Sequence, residues 1–297
     1  SADGRFARAA VQPVPRGVPD ALPDGAQVLV AQPMWDALDT PAPAGWPHGL
    51  QWVQLAAVGL DGYPSWLLRS TPVSAARGTA SPVIAEYVLA AVLAAAKDLP
   101  GLWIRDPAQW RLRPTGSVAG ATLGLYGWGS IAQAIAPRAL ALGLSVLALR
   151  RSEAPFGVPG VRRAASLQEL LRESDHLVLA APATPETRHV IDHAALAHAR
   201  PGLHLINVAR GSLVDQAALL EALDAGRLSR ATLDVTEPEP LPAGHPLYAH
   251  PRVFISPHTS AISPSTREAL ADLLLDNLRR RSRGEPLAHV PDPGLGY

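Results

Sequence analysis

One nine-residue stretch constrains the fold more than any other. "GLYGWGSIA", residues 124–132, follows the apolar "ATL" and runs into an alanine-rich segment. Gly127, Gly129 and Ala132 make G-x-G-x-x-A where a strand meets a helix, the context in which that spacing reads as a dinucleotide turn. The first glycine permits the tight turn, the second lets main chain approach a pyrophosphate, and the small third residue lets helix and strand pack closely. The N–H groups of Ser130 and Ile131, at the positive end of the helix, would then meet the phosphates. Trp128 is expected on the domain surface or on the wall of a cleft.

The residues after the turn support a parallel sheet. "TLGLY" (122–126), "SVLAL" (145–149), "HLVLA" (176–180), "LHLIN" (203–207), "ATLDV" (231–235) and "RVFIS" (252–256) are short apolar runs separated by helical patterns. Runs of this length, apolar on both faces, predict a doubly wound α/β domain with helices covering each side. Ser166 and Glu169 form a capping box, Asp215 caps a helix that Gly226 stops, and Ser263 with Pro264 opens another. Pro137, inside "SIAQAIAPRALALG", is expected to kink or split its helix.

At 297 residues the chain exceeds the usual domain size of about 100–150, so two domains are expected. "QVLVAQ" (27–32), "LQWVQLA" (50–56) and "TPVSAA" (71–76) read as strands of a smaller α/β unit, and a long helix starts at Ser81 with Pro82. No strand is marked before residue 27. The Pro-, Trp- and Arg-rich residues 99–114 suit an interdomain connection.

Twenty-six basic side chains balance twenty-six acidic ones, which leaves no electrostatic footprint for nucleic acid. The chain has no cysteine, so it forms no disulfide and no thiolate metal site, and no metal is expected. "VLAAVLAAA" (88–96) is too short to span a bilayer, and no basic-then-apolar leader begins the sequence, so a soluble, cytoplasmic protein without a membrane partner is expected.

The end of the second strand selects the nucleotide. An NAD-binding turn usually places a carboxylate there for the ribose 2′-hydroxyl, whereas "LALRRSE" places Arg150, Arg151 and Ser152, donors suited to a 2′-phosphate. NADP(H) is therefore expected in preference to NAD(H), with Glu153 the competing candidate for an NAD acid.

Three further stretches should gather at the carboxyl edge of the sheet, where α/β domains bind ligands. They are "NVARGSLVD" with Arg210, "LDVTEPEPLP" with Asp234, Glu237 and Glu239, and "SPHTSA" with His258. Reducing a carbonyl by hydride leaves charge on oxygen, so it needs a proton donor, a cation for an anionic substrate, and a group that tunes the donor. Histidine, arginine and glutamate supply these, and a carboxylate bonded to His258 would raise its pKa from about 6.5.

With these motifs in order, joined by "QLAAVGLDG", "AARGTASPVIAEYVLAAVLA" and "LAAPATPETRHVI", residues 50 to 280 resemble the D-isomer-specific 2-hydroxyacid dehydrogenase family, including its glyoxylate/hydroxypyruvate reductases. The resemblance implies a Rossmann-type doubly wound domain, residues 99–271, inserted in a smaller flavodoxin-like α/β substrate domain, residues 1–98 and 272–297, with the active site in the cleft. By the same resemblance Arg210 binds the carboxylate and keto oxygen of a small 2-oxo or 2-hydroxy acid, His258 is the acid and base, and Glu239 is its partner. Glu237 falls at a position the family leaves free. Asp234 matches the contact to the nicotinamide carboxamide. Val58 and Gly59 match the loop that holds the substrate carboxylate by its amides. Ala181, Pro182 and Thr187 match the loop beside the adenosine, and Asn207, Val208 and Ala209 pass close to the nicotinamide. A homodimer paired through the helix from Ser81 is also implied.

The family also includes corepressors, so a nucleotide-sensing protein with little turnover is the alternative. A short-chain reductase would need Tyr-x-x-x-Lys, and Lys97, the only lysine, has no tyrosine at that spacing.

Overall fold

Short runs of Val, Leu and Ile cannot bury both faces unless something covers each, and in this chain helices do so. A computed structural model describes residues 10–14, 17 and 22–292. The segment before residue 27, where the sequence marks no strand, lies largely outside them. The chain divides into two compact units, one from the N-terminus to Thr79 plus Pro264 onward, the other Ala80–Ser263.

In the first unit β1 (Val28–Ala31), β2 (Trp52–Leu55), α1 (Ser65–Ser70) and β3 (Val73–Ser74) build a parallel sheet in the order β1-β2-β3. Leu29, Val53, Leu55, Leu67 and Val73 form its core.

The second unit runs α2 (Ser81–Lys97), α3 (Leu99–Leu102), β4 (Thr122–Tyr126), α4 (Ser130–Ala141), β5 (Ser145–Leu149), β6 (Val161–Arg163), α5 (Leu167–Glu173), β7 (His176–Leu179), α6 (His193–Leu196), β8 (Leu203–Asn207), α7 (Gln216–Asp224), β9 (Leu228–Leu233), α8 (Pro246–Ala249) and β10 (Val253–Ile255). Its strands are parallel, in the order β10-β9-β8-β7-β4-β5-β6. Strand order reverses between β4 and β7, which opens a crevice at their carboxyl ends. Alternation divides the core: Leu177, Leu179, Leu205 and Leu233 pack to one side with α5 and α7, whereas Val178, Ile206, Leu123 and Leu125 pack to the other with α2 and α4. Among the described residues no helix is long and apolar enough to cross a membrane.

Caps fall where expected. Ser166 accepts from the Glu169 N–H, Asp215 accepts from the N–H groups of Ala217 and Ala218, and Gly226 turns left-handed at φ 69° after α7. Three local expectations need correction. Helix α4 runs unbroken through Pro137, because Pro137 and Gln133, whose carbonyl loses its N–H partner, both lie on the solvent face. Strand β9 begins at Leu228 rather than Ala231, since Leu228 pairs with Leu203 across an irregularity. Strand β6, whose central residue is an exposed arginine, carries no apolar run that would mark it.

The units divide at Thr79 and Ser263, earlier than the expected 98 and 271, and residues 99–114 lie wholly within the second unit. Helix α2 buries Ile84, Ala85, Val88 and Val92 in one core with α4 and β4, and so falls in the second unit. At the other boundary α9 (Pro264–Ser282) joins the first unit whole. Its anchor is Asn277, which is fully buried. Asn277 Nδ2 donates to Gln54 Oε1 at 3.0 Å and Ser74 Oγ at 2.9 Å, and its Oδ1 accepts from the Ala288 N–H at 2.7 Å.

Replacing Asn277 with Ala strands several buried polar groups at once, each costing about 1–3 kcal/mol. The variant is expected to lose about 2–4 kcal/mol of stability in urea titration, and an unchanged midpoint would show that α9 is held by other contacts.

Candidate functional site

The glycine turn leaves β4 at Tyr126 and enters α4 at Ser130. Gly127 has φ 99°, and a Cβ there would come within 2.8 Å of Ala180 O and Ala181 N at the end of β7. Gly129 precedes the helix, and a Cβ there would meet nothing within 4 Å. No side chain caps α4, so the N–H groups of its first turn, Ser130 and Ile131 included, have no side-chain acceptor at the cap. Ala132 is fully buried against the sheet. A cradle with close main chain, open space and an uncapped helix end fits a pyrophosphate.

Trp128 departs from expectation. It is 8% exposed rather than on a surface or cleft wall, its Nε1 donates to Phe156 O at 3.1 Å, and the two rings meet edge to face at 4.7 Å. The indole turns inward because Phe156, on the loop after β5, offers both an apolar face and a carbonyl. Trp128 therefore joins the glycine turn to the loop that carries Arg150, Arg151 and Ser152.

A third arginine organises that loop. Arg163, on β6, donates to Ser152 O at 3.1 Å and Ala154 O at 2.7 Å, and its guanidinium lies 4.8 Å from the Phe156 ring centre. Arg150 Nη1 donates to the carbonyls of Ala154 and Pro155 at 3.4 and 3.2 Å. Glu153 is 93% exposed, 3.9 Å from Arg163. The sequence held no signal for Arg163 beyond its distance from the turn, because β6 itself was unmarked. In the neighbouring loop, which begins at the buried Ala181, Thr187 Oγ1 donates to Pro182 O at 2.8 Å and accepts from the Thr184 N–H at 2.8 Å, closing the loop on itself.

At the carboxyl ends of β8, β9 and β10 the polar groups converge. Asn207 Nδ2 donates to Arg210 O and its Oδ1 accepts from the Ala209 N–H, which bends the Val208–Arg210 segment out of the strand. Asp234 is 1% exposed, and its carboxylate accepts from Ser256 Oγ at 2.5 Å and from the N–H groups of Thr259 and Ser260 at 2.9 and 3.1 Å. Its carbonyl accepts from the His258 N–H at 2.8 Å, and His258 takes a left-handed φ of 50°. Ser256 spends its proton on Asp234, so the Tyr87 hydroxyl donates to Ser256 at 2.7 Å. Burial pushes the Tyr87 phenol up, which keeps it a donor. The sequence placed Tyr87 only on a long helix and gave no sign of this role.

His258 Nδ1 and Glu239 Oε2 are 2.9 Å apart. The hydrogen bond to Glu239 raises the His258 pKa above its ordinary 6.5, against burial, with the Glu239 and Asp234 charges adding to the rise and Arg210 opposing it. Burial alone would raise the Glu239 pKa, but the bonds from His258 and the Thr236 N–H, with the charges of His258 and Arg210, bring it below its ordinary 4.5. The Arg210 charge thus enters the electrostatics of both members of the pair. Beside them opens a cavity of about 560 Å³, with Asp234, Glu239 and His258 on its polar side and Leu241, Leu247 and Ile255 on its apolar side. Val58 and Gly59 lie in the bend after β2, in the first unit.

Residues 89–260, more than half of the chain, match the sequence profile of the D-isomer specific 2-hydroxyacid dehydrogenase NAD binding domain. Glyoxylate/hydroxypyruvate reductase A of Serratia proteamaculans is 35% identical over 65% of this chain, and that match spans 62% of the relative's own length. (S)-sulfolactate dehydrogenase of Chromohalobacter salexigens is 36% identical over 75% of this chain and 74% of its own. A crystal structure of a D-isomer specific 2-hydroxyacid dehydrogenase from Xanthobacter autotrophicus, in complex with NADPH and MES, aligns with a TM-score of 0.80 at 32% identity, covering 96% of this chain and 90% of that one. The profile match, the relatives and the cradle at Gly127–Ala132 agree: this chain belongs to the D-isomer specific 2-hydroxyacid dehydrogenase family.

Proposed function

We propose that the chain reduces a small 2-oxo acid to the D-2-hydroxy acid, using NADPH in preference to NADH. The observation that carries this is the His258–Glu239 pair at 2.9 Å, both residues lining one cavity with Asp234. The family relatives named above for glyoxylate, hydroxypyruvate and sulfolactate support a small anionic substrate.

A bound reduced nicotinamide supplies the hydride. Gly127, Trp128, Gly129, Ser130 and Ile131 are assigned to the pyrophosphate side, Ala181, Pro182 and Thr187 to the adenosine, and Val208, Ala209, Arg210, Asp234 and His258 to the nicotinamide side. Glu239 engages Nδ1 of His258, so Nε2 is the nitrogen that can give a proton to the carbonyl oxygen as charge develops there. The bond to Glu239 raises the imidazole pKa, which favours the protonated donor over a free imidazole at the same pH. Arg210 takes the substrate carboxylate and polarises the keto oxygen, while the amides of Val58 and Gly59 are assigned to the same carboxylate on the resemblance alone. In the reverse direction neutral His258 accepts the hydroxyl proton. Arg150, Arg151 and Ser152 favour a 2′-phosphate, and the NADPH bound by the Xanthobacter relative supports that preference.

His258→Asn keeps a polar side chain but cannot donate the proton. It is expected to lower kcat by about 10²–10⁴-fold while the NADPH dissociation constant, read by fluorescence titration, changes by far less, since the other assigned cofactor contacts remain. Turnover near the wild-type rate would remove His258 from the chemistry.

The pair also predicts a pH dependence of stability. The raised His258 pKa contributes stability that is complete below about pH 6.5 and lost as pH rises through the folded value. The lowered Glu239 pKa contributes stability that is present above its ordinary 4.5 and lost as pH falls through the folded value. Urea midpoints of the wild type and Glu239→Gln should therefore differ most near pH 5–6 and converge in alkali, and a gap that grows with alkali would contradict the pairing.

A further inference from the structure

Glu237 has no role by family resemblance, yet three elements hold it. Gln216, the first residue of α7, places both ends of its amide on the Glu237 main chain: Nε2 donates to the carbonyl, and Oε1 accepts from the N–H at 3.4 Å. The Glu237 carboxylate meets Arg188 Nη1 at 2.8 Å and His189 Nε2 at 3.7 Å. Behind the segment stands Gly211, where a Cβ would fall 2.0 Å from the Thr236 carbonyl carbon and 2.5 Å from Glu237 N. No side chain larger than hydrogen leaves room for this backbone approach.

The held segment leads directly to the acid–base pair. The Thr236 N–H donates to Glu239 Oε1 at 2.9 Å, and Thr236 Oγ1 donates to Pro238 O at 2.9 Å. Oε2, the other oxygen of Glu239, faces His258 Nδ1. Arg188 and His189 end the loop that contains Pro182 and Thr187, and the His189 N–H donates to Ser212 O at 2.8 Å, two residues beyond Arg210. Main-chain and side-chain bonds thus run without a break from that loop, through Glu237, to Glu239.

We propose that Glu237, Arg188 and Gln216 are positioning residues: they fix the Thr236–Glu239 turn so that the Glu239 carboxylate faces His258, and they tie that alignment to the loop ending at Arg188. This rests on the reading of His258 and Glu239 as the acid–base pair. The charged groups acting on His258 are Glu239, Arg210 and Asp234, whereas those on Glu237 are Arg188 and His189. Glu237 does not act directly on the imidazole, and Gln216 carries no charge, so any change at His258 when Gln216 is lost reports position. Arg188 and Glu237 are 53% and 40% exposed, and such a pair adds little to stability, so breaking it leaves the protein folded.

The test is an NMR titration of His258 in the isotope-labelled full chain, its signal assigned by its loss in His258→Asn. Gln216→Leu and Arg188→Met are expected to move the midpoint down by roughly half a pH unit. They should also lower kcat about tenfold with little change in KM for the 2-oxo acid. Arg188→Lys, which keeps a cation on Glu237, should recover part of both. Midpoints equal to wild type in both Gln216→Leu and Arg188→Met would overturn the proposal. If Gln216→Leu fails to fold, Arg188→Met decides alone. Shifted midpoints in a protein that turns over no 2-oxo acid would uphold the positioning role and reject the proposed reaction, so the two failures are distinct.

Discussion

A carboxylate sealed from water must be fully satisfied, and Asp234 meets that demand by ordering the turn around it. An unpaired buried charge costs several kcal/mol. The serine hydroxyl and the two N–H groups that Asp234 collects all come from residues 256–260, so this turn can take only a shape that points its donors inward. His258 accepts a left-handed backbone as a result, at a cost on the order of 1–3 kcal/mol, offset by its N–H bond to the Asp234 carbonyl. The imidazole then projects toward Glu239. Tyr87 closes the chain from α2 through Ser256, so a helix on one face of the sheet reaches the residues that present His258 to Glu239.

The parallel sheet explains why distant parts of the sequence meet here. Every strand of the second unit delivers its carboxyl end to the same edge, and the reversal of order between β4 and β7 leaves that edge open. The glycine turn, the arginine loop and the loops after β8, β9 and β10 therefore lie along one edge although they come from distant parts of the chain. Trp128 and Arg163 brace this edge on one side by holding Phe156 and the carbonyls of the arginine loop. Gly211 and Gln216 brace it on the other by holding residues 236 and 237.

Much of this was legible in the sequence where one local cause decides the outcome. Strands β4, β5 and β8 coincide with their apolar runs, and the Ser166 and Asp215 caps are local patterns that packing had no reason to override. The candidate site residues were visible as types at the ends of strands, because parallel topology sends those ends together. Contacts between segments were not visible. Trp128 reads as exposed until Phe156, 28 residues away, is known to lie against it. Arg163 and Gln216 look like ordinary polar residues of a strand and a helix, and only the carbonyls they meet give them a role. Pro137 shows the opposite case, a strong local signal that geometry neutralises by leaving the orphaned carbonyl in water.

The most direct test of the central claim is the loss of reduced-nicotinamide absorbance with NADPH and NADH in parallel, against glyoxylate, hydroxypyruvate, pyruvate and phenylpyruvate. The proposed acid–base role of His258 and Glu239, at the same sheet edge as an open dinucleotide cradle, predicts turnover of at least one of these acids, faster with NADPH than with NADH. Tight NADPH binding with no turnover of any acid would contradict it and leave a protein that senses the nucleotide.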